Sequence, residues 1–176
     1  RIMKQLLTIT LFLLWGKMAL AGHITGGEMY YTYVGMSNGQ YQYNVTLKLY
    51  KRCNISTAFP DPAIISVFAK MDQSRFGDFY VPMTRSENIN LTNVNPCISN
   101  PPLVCFDIAY YSFTLLLPGS PMGYTISSQV NFRINGMNNL TAGYSGIGAT
   151  YTAEIPGTTA PATGIQNNSA RFTGTD

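Results

Sequence analysis

An all-β, antiparallel sandwich is the fold class that this 176-residue chain predicts, and three observations carry the prediction. Tyr41–Cys53 alternates between an apolar and a polar side along its whole length. About eight or nine short aromatic and β-branched segments follow one another with turn residues between them. Beyond the N-terminal leader, no stretch carries the apolar stripe of an amphipathic helix. Strands without helices must bury their apolar faces against each other, so two packed sheets of immunoglobulin-like or jelly-roll type are expected.

The central strand is the clearest element. Tyr41, Tyr43, Val45, Leu47, Leu49 and Cys53 share one side of an extended chain, while Gln42, Asn44, Thr46, Lys48, Tyr50 and Arg52 share the other. The first set faces a core and the second faces water. Before it, Glu28–Val34 is aromatic and β-branched and reads as the first strand, joined to the central one by Ser37-Asn38-Gly39. Asn-Gly suits a tight hairpin turn because both residues tolerate positive φ.

Two prolines in Phe59-Pro-Asp-Pro62 exclude a central strand there. Ala63–Lys70 follows, with apolar residues on both faces (Ile65 and Val67 against Ile64 and Phe68), so burial on both sides is expected. Gly77–Met83 and Asn88–Val94 are weaker strands. After the proline-rich loop Asn95–Leu103 comes Val104–Leu117, with Tyr111, Phe113, Leu115 and Leu117 on one face. Tyr124–Ile134 alternates again, Ala149–Ile155 is a further strand, and Ser169–Thr173 is a possible edge. Tyr41, Tyr43, Tyr111, Tyr124 and Tyr151 fall on inferred core faces; Tyr30, Tyr31, Tyr50 and Tyr110 are freer to meet a ligand.

Residues 1–21 stand outside this pattern. A basic Lys4, the apolar run Leu6–Trp15 and the small-residue site Ala19-Leu20-Ala21 have the layout of a cleaved secretory signal. The run is well short of the roughly 20 residues needed to cross a bilayer. Three of the eleven basic residues leave with the leader, and the eight that remain balance eight acidic ones. A neutral chain without charge blocks offers neither a nucleic-acid interface nor a polybasic membrane tether. Residues 22–176 are expected to form one domain, the first of a longer exported protein, with no membrane span.

Little in the sequence points to catalysis. The single histidine, His23, has no partner at the spacing of a metal site or hydrolase triad. Asp61, Asp72 and Asp78 lack the dense oxygen-ligand spacing of a calcium loop. No catalytic residue, cofactor or metal is therefore assigned, and a glycosidase pair would need two scattered carboxylates to meet across the fold. Asn-x-Ser/Thr triplets occur at Asn44, Asn54, Asn90, Asn139 and Asn167. Cys53, Cys97 and Cys105 allow one disulfide with one residue over. Cys97–Cys105 is favoured by proximity, which leaves Cys53 unassigned, although the sequence alone does not choose among the three pairings.

The run Gly22-His-Ile-Thr-Gly-Gly-Glu-Met-Tyr-Tyr-Thr-Tyr33, with Tyr50-Lys-Arg-Cys53, Phe59-Pro-Asp-Pro-Ala-Ile-Ile-Ser-Val-Phe68, Asn95–Cys105 and Gly123-Tyr-Thr-Ile-Ser127, resembles the N-terminal domain of large exported Bacteroidetes surface proteins. The resemblance covers almost all of residues 22–176. It implies downstream PKD-type Ig-like domains, a gliding-motility-associated or type IX secretion sorting domain at the far end, and a role in surface structure or adhesion. Surface glycans or other surface proteins are the partners it suggests, and it brings no catalytic residues. Many relatives carry two adjacent cysteines where this chain has Asn131-Phe132, so their cystine pairing does not transfer.

A structural or adhesive module is the function these observations favour, with a carbohydrate-binding sandwich as the alternative. The exported protein is expected to begin at Gly22; N-terminal sequencing of secreted material checks this, and an intact Met3 start in a membrane fraction contradicts it.

Overall fold

The computed structural model describes residues 24–90, 104–131, 133, 147–159 and 164–171. Among the described residues, eight strands form two four-stranded antiparallel sheets. The first sheet has the order β1 (Ile24–Ser37), β2 (Gln40–Arg52), β6 (Cys105–Leu117), β5 (Arg85–Asn90). The second has the order β4 (Arg75–Val81), β3 (Ala63–Ala69), β7 (Gly123–Val130), β8 (Ala149–Pro156). Labelled in chain order, these are the A-B-E-D and C-F-G sheets of an immunoglobulin-type Greek key with one more strand beside C. The β-sandwich expected from the sequence is therefore present, and its strand order is immunoglobulin-like rather than jelly-roll.

The hairpin between β1 and β2 turns at Asn38 and Gly39, both with positive φ, as the Asn-Gly pair predicts. Along β2, Tyr43, Val45, Leu47 and Leu49 are fully buried, and the intervening side chains are not. Across the sandwich the core continues through Ile65, Val67, Tyr111, Leu115, Leu117, Ile126 and Ile155. Phe79 and Phe113 pack with ring centroids 5.1 Å apart, joining the two sheets. Tyr124 opens β7, and its hydroxyl donates to the Pro118 carbonyl at 3.0 Å. That is the tyrosine corner of immunoglobulin-type sandwiches.

Several sequence readings need correction. Ile64 is 49% exposed, so β3 is buried on one face only; among the described residues no helix or sheet covers its outer face. Strand β1 starts at Ile24, inside the glycine-rich lead, and β5 starts at Arg85 rather than Asn88. Residues 169–171 add no strand, yet Ser169 docks on the edge of β1, its N–H donating to the Tyr31 carbonyl at 3.1 Å. Lys51 lies on the core side of β2, 8% exposed. Its stem packs inward while its ammonium donates to the Thr57 carbonyl at 2.9 Å and sits 4.9 Å from the Phe59 ring centre.

The disulfide is the main correction. Cys53 bonds Cys105, with Cα atoms 5.5 Å apart, so Cys105 is not available to Cys97. The reason lies in the register of β2 and β6, where Arg52 faces Phe106 and the next positions bring the two cysteines together at the end of the ladder. Proximity along the chain favoured Cys97, but pairing between strands decides the partner. Cys97 and the leader 1–21 lie outside the described residues. Unlike the inter-sheet bridge of antibody domains, this one ties two neighbours in one sheet.

Two outcomes test this fold. Leu47→Asp buries an uncompensated charge where exposure is nil, and should abolish the folded state in thermal melts. Removing the bridge, which closes a separation of 52 residues, should cost about 4 kcal/mol in the chain-entropy description. Non-reducing peptide mapping should show Cys53 crosslinked to Cys105; a Cys97–Cys105 peptide would overturn the assignment.

Candidate functional site

Strand alternation sends every second side chain of the first sheet outward, and cross-strand register sorts these into rows. One row runs Glu28, Lys48, Tyr110, Arg85 across four strands. The next runs Gly26, Tyr50, Ile108, Glu87. Tyr30, Thr46 and Ser112 lie on one side of these rows, and Phe106 and Ile89 on the other. The β2–β6 ladder at the centre of these rows is unbroken, so the side chains it carries stand on a regular support.

The rows are tied together by charge and ring contacts. Lys48 Nζ is 2.6 Å from a Glu28 carboxylate oxygen and lies 5.4 Å and 5.5 Å from the Tyr30 and Tyr110 ring centres. Arg85 sits 4.0 Å over the Tyr110 ring and 3.5 Å from Glu87. The Tyr110 hydroxyl donates to Glu87, and the Tyr50 hydroxyl donates to Glu28 at 3.3 Å. Burial, together with the neighbouring carboxylates, pushes Tyr50 and Tyr110 each up to about 12. Both phenols therefore stay protonated donors at neutral pH.

The outer face of the second sheet is built differently. Ile64 and Tyr80 stand opposite each other there, 49% and 67% exposed. Beside them Asp78 is held by Arg75 and by Ser66 Oγ, which donates at 2.7 Å.

Of the four tyrosines read as freer, Tyr30, Tyr50 and Tyr110 do stand outward and are half-buried, while Tyr31 is in the core at 2% exposure. Its hydroxyl sits between the Glu154 carbonyl at 2.8 Å and the Asn167 side-chain amide at 2.7 Å. Burial pushes Tyr31 up to about 12, with the Glu154 carboxylate adding to the effect. Sequence parity sets Tyr31 on the opposite side of β1 from Tyr30 but does not say which side meets the core. The five tyrosines read as core residues are all inward: Tyr43, Tyr111 and Tyr124 are buried, and Tyr41 and Tyr151 are packed against the core. Among the described Asn-x-Ser/Thr triplets, Asn44, Asn54 and Asn90 are exposed, whereas the Asn167 side chain is engaged with Tyr31.

The three aspartates considered for calcium are each occupied separately. Asp61 accepts from the Met83 N–H, Asp78 pairs with Arg75, and Asp72 is held below the usual carboxylate range by hydrogen bonds from the Ser74 side chain and from the Ser74 N–H. Among the described residues no three His, Cys, Asp or Glu side chains converge as a metal site would require. Glu28 and Glu87 do reach the same outer face, but each is matched by a cation and a phenol. No described helix is long and apolar enough to cross a membrane. No family model matches the chain, and neither a curated protein nor a solved structure matches it.

What sequence reading missed is the partnership of the outward charges. On the water-facing side of β2, Lys48 reads from the sequence as a solvated residue whose replacement changes stability by roughly 0.5 kcal/mol or less. Its side chain is only 15% exposed and that of Glu28 12%, so the pair is poorly screened. Lys48→Asp sets a second carboxylate against Glu28 and removes the cation beside two rings. A loss of about 2 kcal/mol in denaturant unfolding is expected.

Proposed function

We propose that this chain is a non-enzymatic β-sandwich module of a secreted or cell-surface protein, with a structural or adhesive role, and the first domain of a longer chain. The observation that carries the adhesive part is the outer face of the first sheet. It presents three half-buried tyrosines, two cations and two carboxylates on rigid neighbouring strands. Aromatic and arginine side chains held in fixed rotamers lose little entropy on contact, which is why such residues dominate recognition surfaces. The acids on this face are already paired with cations, which favours recognition over proton transfer.

The Cys53–Cys105 bridge supports export, since disulfides persist in oxidising compartments. The secretory layout of residues 1–21 points the same way, as does the resemblance to exported Bacteroidetes surface proteins with PKD-type, gliding-motility-associated and type IX secretion domains. Under this reading the partners are surface glycans, other surface proteins and the downstream domains of the same chain. Carbohydrate binding is the alternative function, favoured by the outward placement of Tyr30, Tyr50 and Tyr110.

Beads bearing the folded protein should adhere to at least one of a set of protein-coated, polysaccharide-coated and self-coated surfaces. Tyr110→Ala, at the centre of the network, should remove most of that adhesion while the melting transition persists. Parent beads that adhere to none of the surfaces would contradict the adhesive role.

A further inference from the structure

Every position of the row Gly26, Tyr50, Ile108, Glu87 carries an outward side chain except the first. A Cβ built on Gly26 meets nothing within 4 Å, so space is open beside Tyr50 on its β1 side. Thr25, Gly26, Gly27, Glu28, Tyr50 and Phe106 enclose a solvent-open depression of about 500 Å³, within the range of small-ligand sites. Its lining is mostly apolar, and two of its lining residues, Tyr50 and Glu28, carry a hydroxyl and a carboxylate 3.3 Å apart.

The electrostatics select among ligands. Lys48 lies 2.6 Å from Glu28 and cancels its charge, so the depression itself is neutral. A cationic ligand would compete with Lys48 for Glu28. An anionic one would have to displace Glu28 from Lys48 or Glu87 from Arg85. A neutral ligand with an apolar face for Tyr50 and Phe106, and hydroxyls at its edge for Glu28, satisfies both constraints. Pyranose rings have that form: axial C–H groups on one face and hydroxyls around the rim. An open depression leaves room for the chain to continue at both ends of the bound unit.

We propose that this depression binds a neutral sugar unit within a polysaccharide. The proposal rests on the adhesive reading and assigns its ligand class, through Tyr50 and Phe106 as stacking surfaces and Glu28 as the hydroxyl acceptor.

The test is affinity electrophoresis of the full chain in gels cast with laminarin, mannan, xylan or soluble starch, with alginate as the anionic comparison. At least one neutral polysaccharide should retard the parent protein. Gly26→Trp fills the depression from a position with no neighbour to disturb, and Tyr50→Ala removes a stacking ring. Each should weaken retardation about tenfold or more, the effect of losing one good contact. Tyr80→Ala, on the opposite sheet, should leave it unchanged. Melting curves for Gly26→Trp should match the parent, which separates blockage from misfolding.

Lack of retardation by all four neutral glycans, undiminished binding by Gly26→Trp, or stronger retardation by alginate would each overturn the proposal. Beads that adhere to protein-coated surfaces equally well with and without Gly26→Trp would sink the sugar site alone. Failure of parent beads on every surface removes the adhesive role itself, so the two failures are distinguishable.

Discussion

The pairing of β2 with β6 is the constraint on which the rest of the molecule depends. Their ladder runs unbroken from Tyr41 opposite Leu117 to Arg52 opposite Phe106. A side-chain period of two makes this register all-or-none, because a slip of one residue turns every buried side chain outward. Shifted in that way, β2 would present Thr46 and Lys48 to the core and Leu47 and Leu49 to water. The same ladder brings Cys53 to Cys105 and sets Tyr50 and Lys48 beside Ile108 and Tyr110. Core, covalent bridge and outer face follow from one alignment.

A second constraint comes from building the core with phenols. Each buried tyrosine contributes a large apolar body and a hydroxyl that must find a partner, since an unsatisfied buried donor costs about 1–3 kcal/mol. The hydroxyls go to backbone carbonyls at the rim: Tyr111 to Pro60, Tyr124 to Pro118 and Tyr43 to Ile165. Tyr31 reaches Glu154 in β8 and the Asn167 side chain. The loops that carry these carbonyls are thereby fastened to the core. The segment 164–169, whose Ile165 is 4% exposed, is drawn against the open margin of the sandwich in this way.

The two outer faces solve the problem of solvent exposure differently. On the second sheet, polar side chains surround an exposed Ile64 and Tyr80. On the first, charges and rings neutralise and shield one another closely enough to leave Ile108 3% exposed on an outward-facing position. Such a face is firm before any partner arrives, and preorganisation lowers the entropic cost of binding. The gap in it at Gly26 is a place where a partner can enter without displacing a side chain.

Alternation in the sequence by itself determined the fold class, the faces of β2, β6, β7 and β8, and the hairpin at Asn38-Gly39. These are local properties, since period-two alternation and turn chemistry are written within a few residues of each other. Parity also set Tyr50 on the outward side of β2, and it held the signal for Lys51, which shares the side of Leu49 yet reads as a surface residue by type. Tertiary structure alone decided which cysteine meets Cys105, which face of β3 is covered, that Tyr31 belongs to the core, and that Glu28 and Glu87 share one face. Each of these depends on register between strands distant in the chain, and neither spacing nor composition encodes which strands become neighbours. The Gly26 depression belongs to the same class, because an empty space is defined by the residues around it.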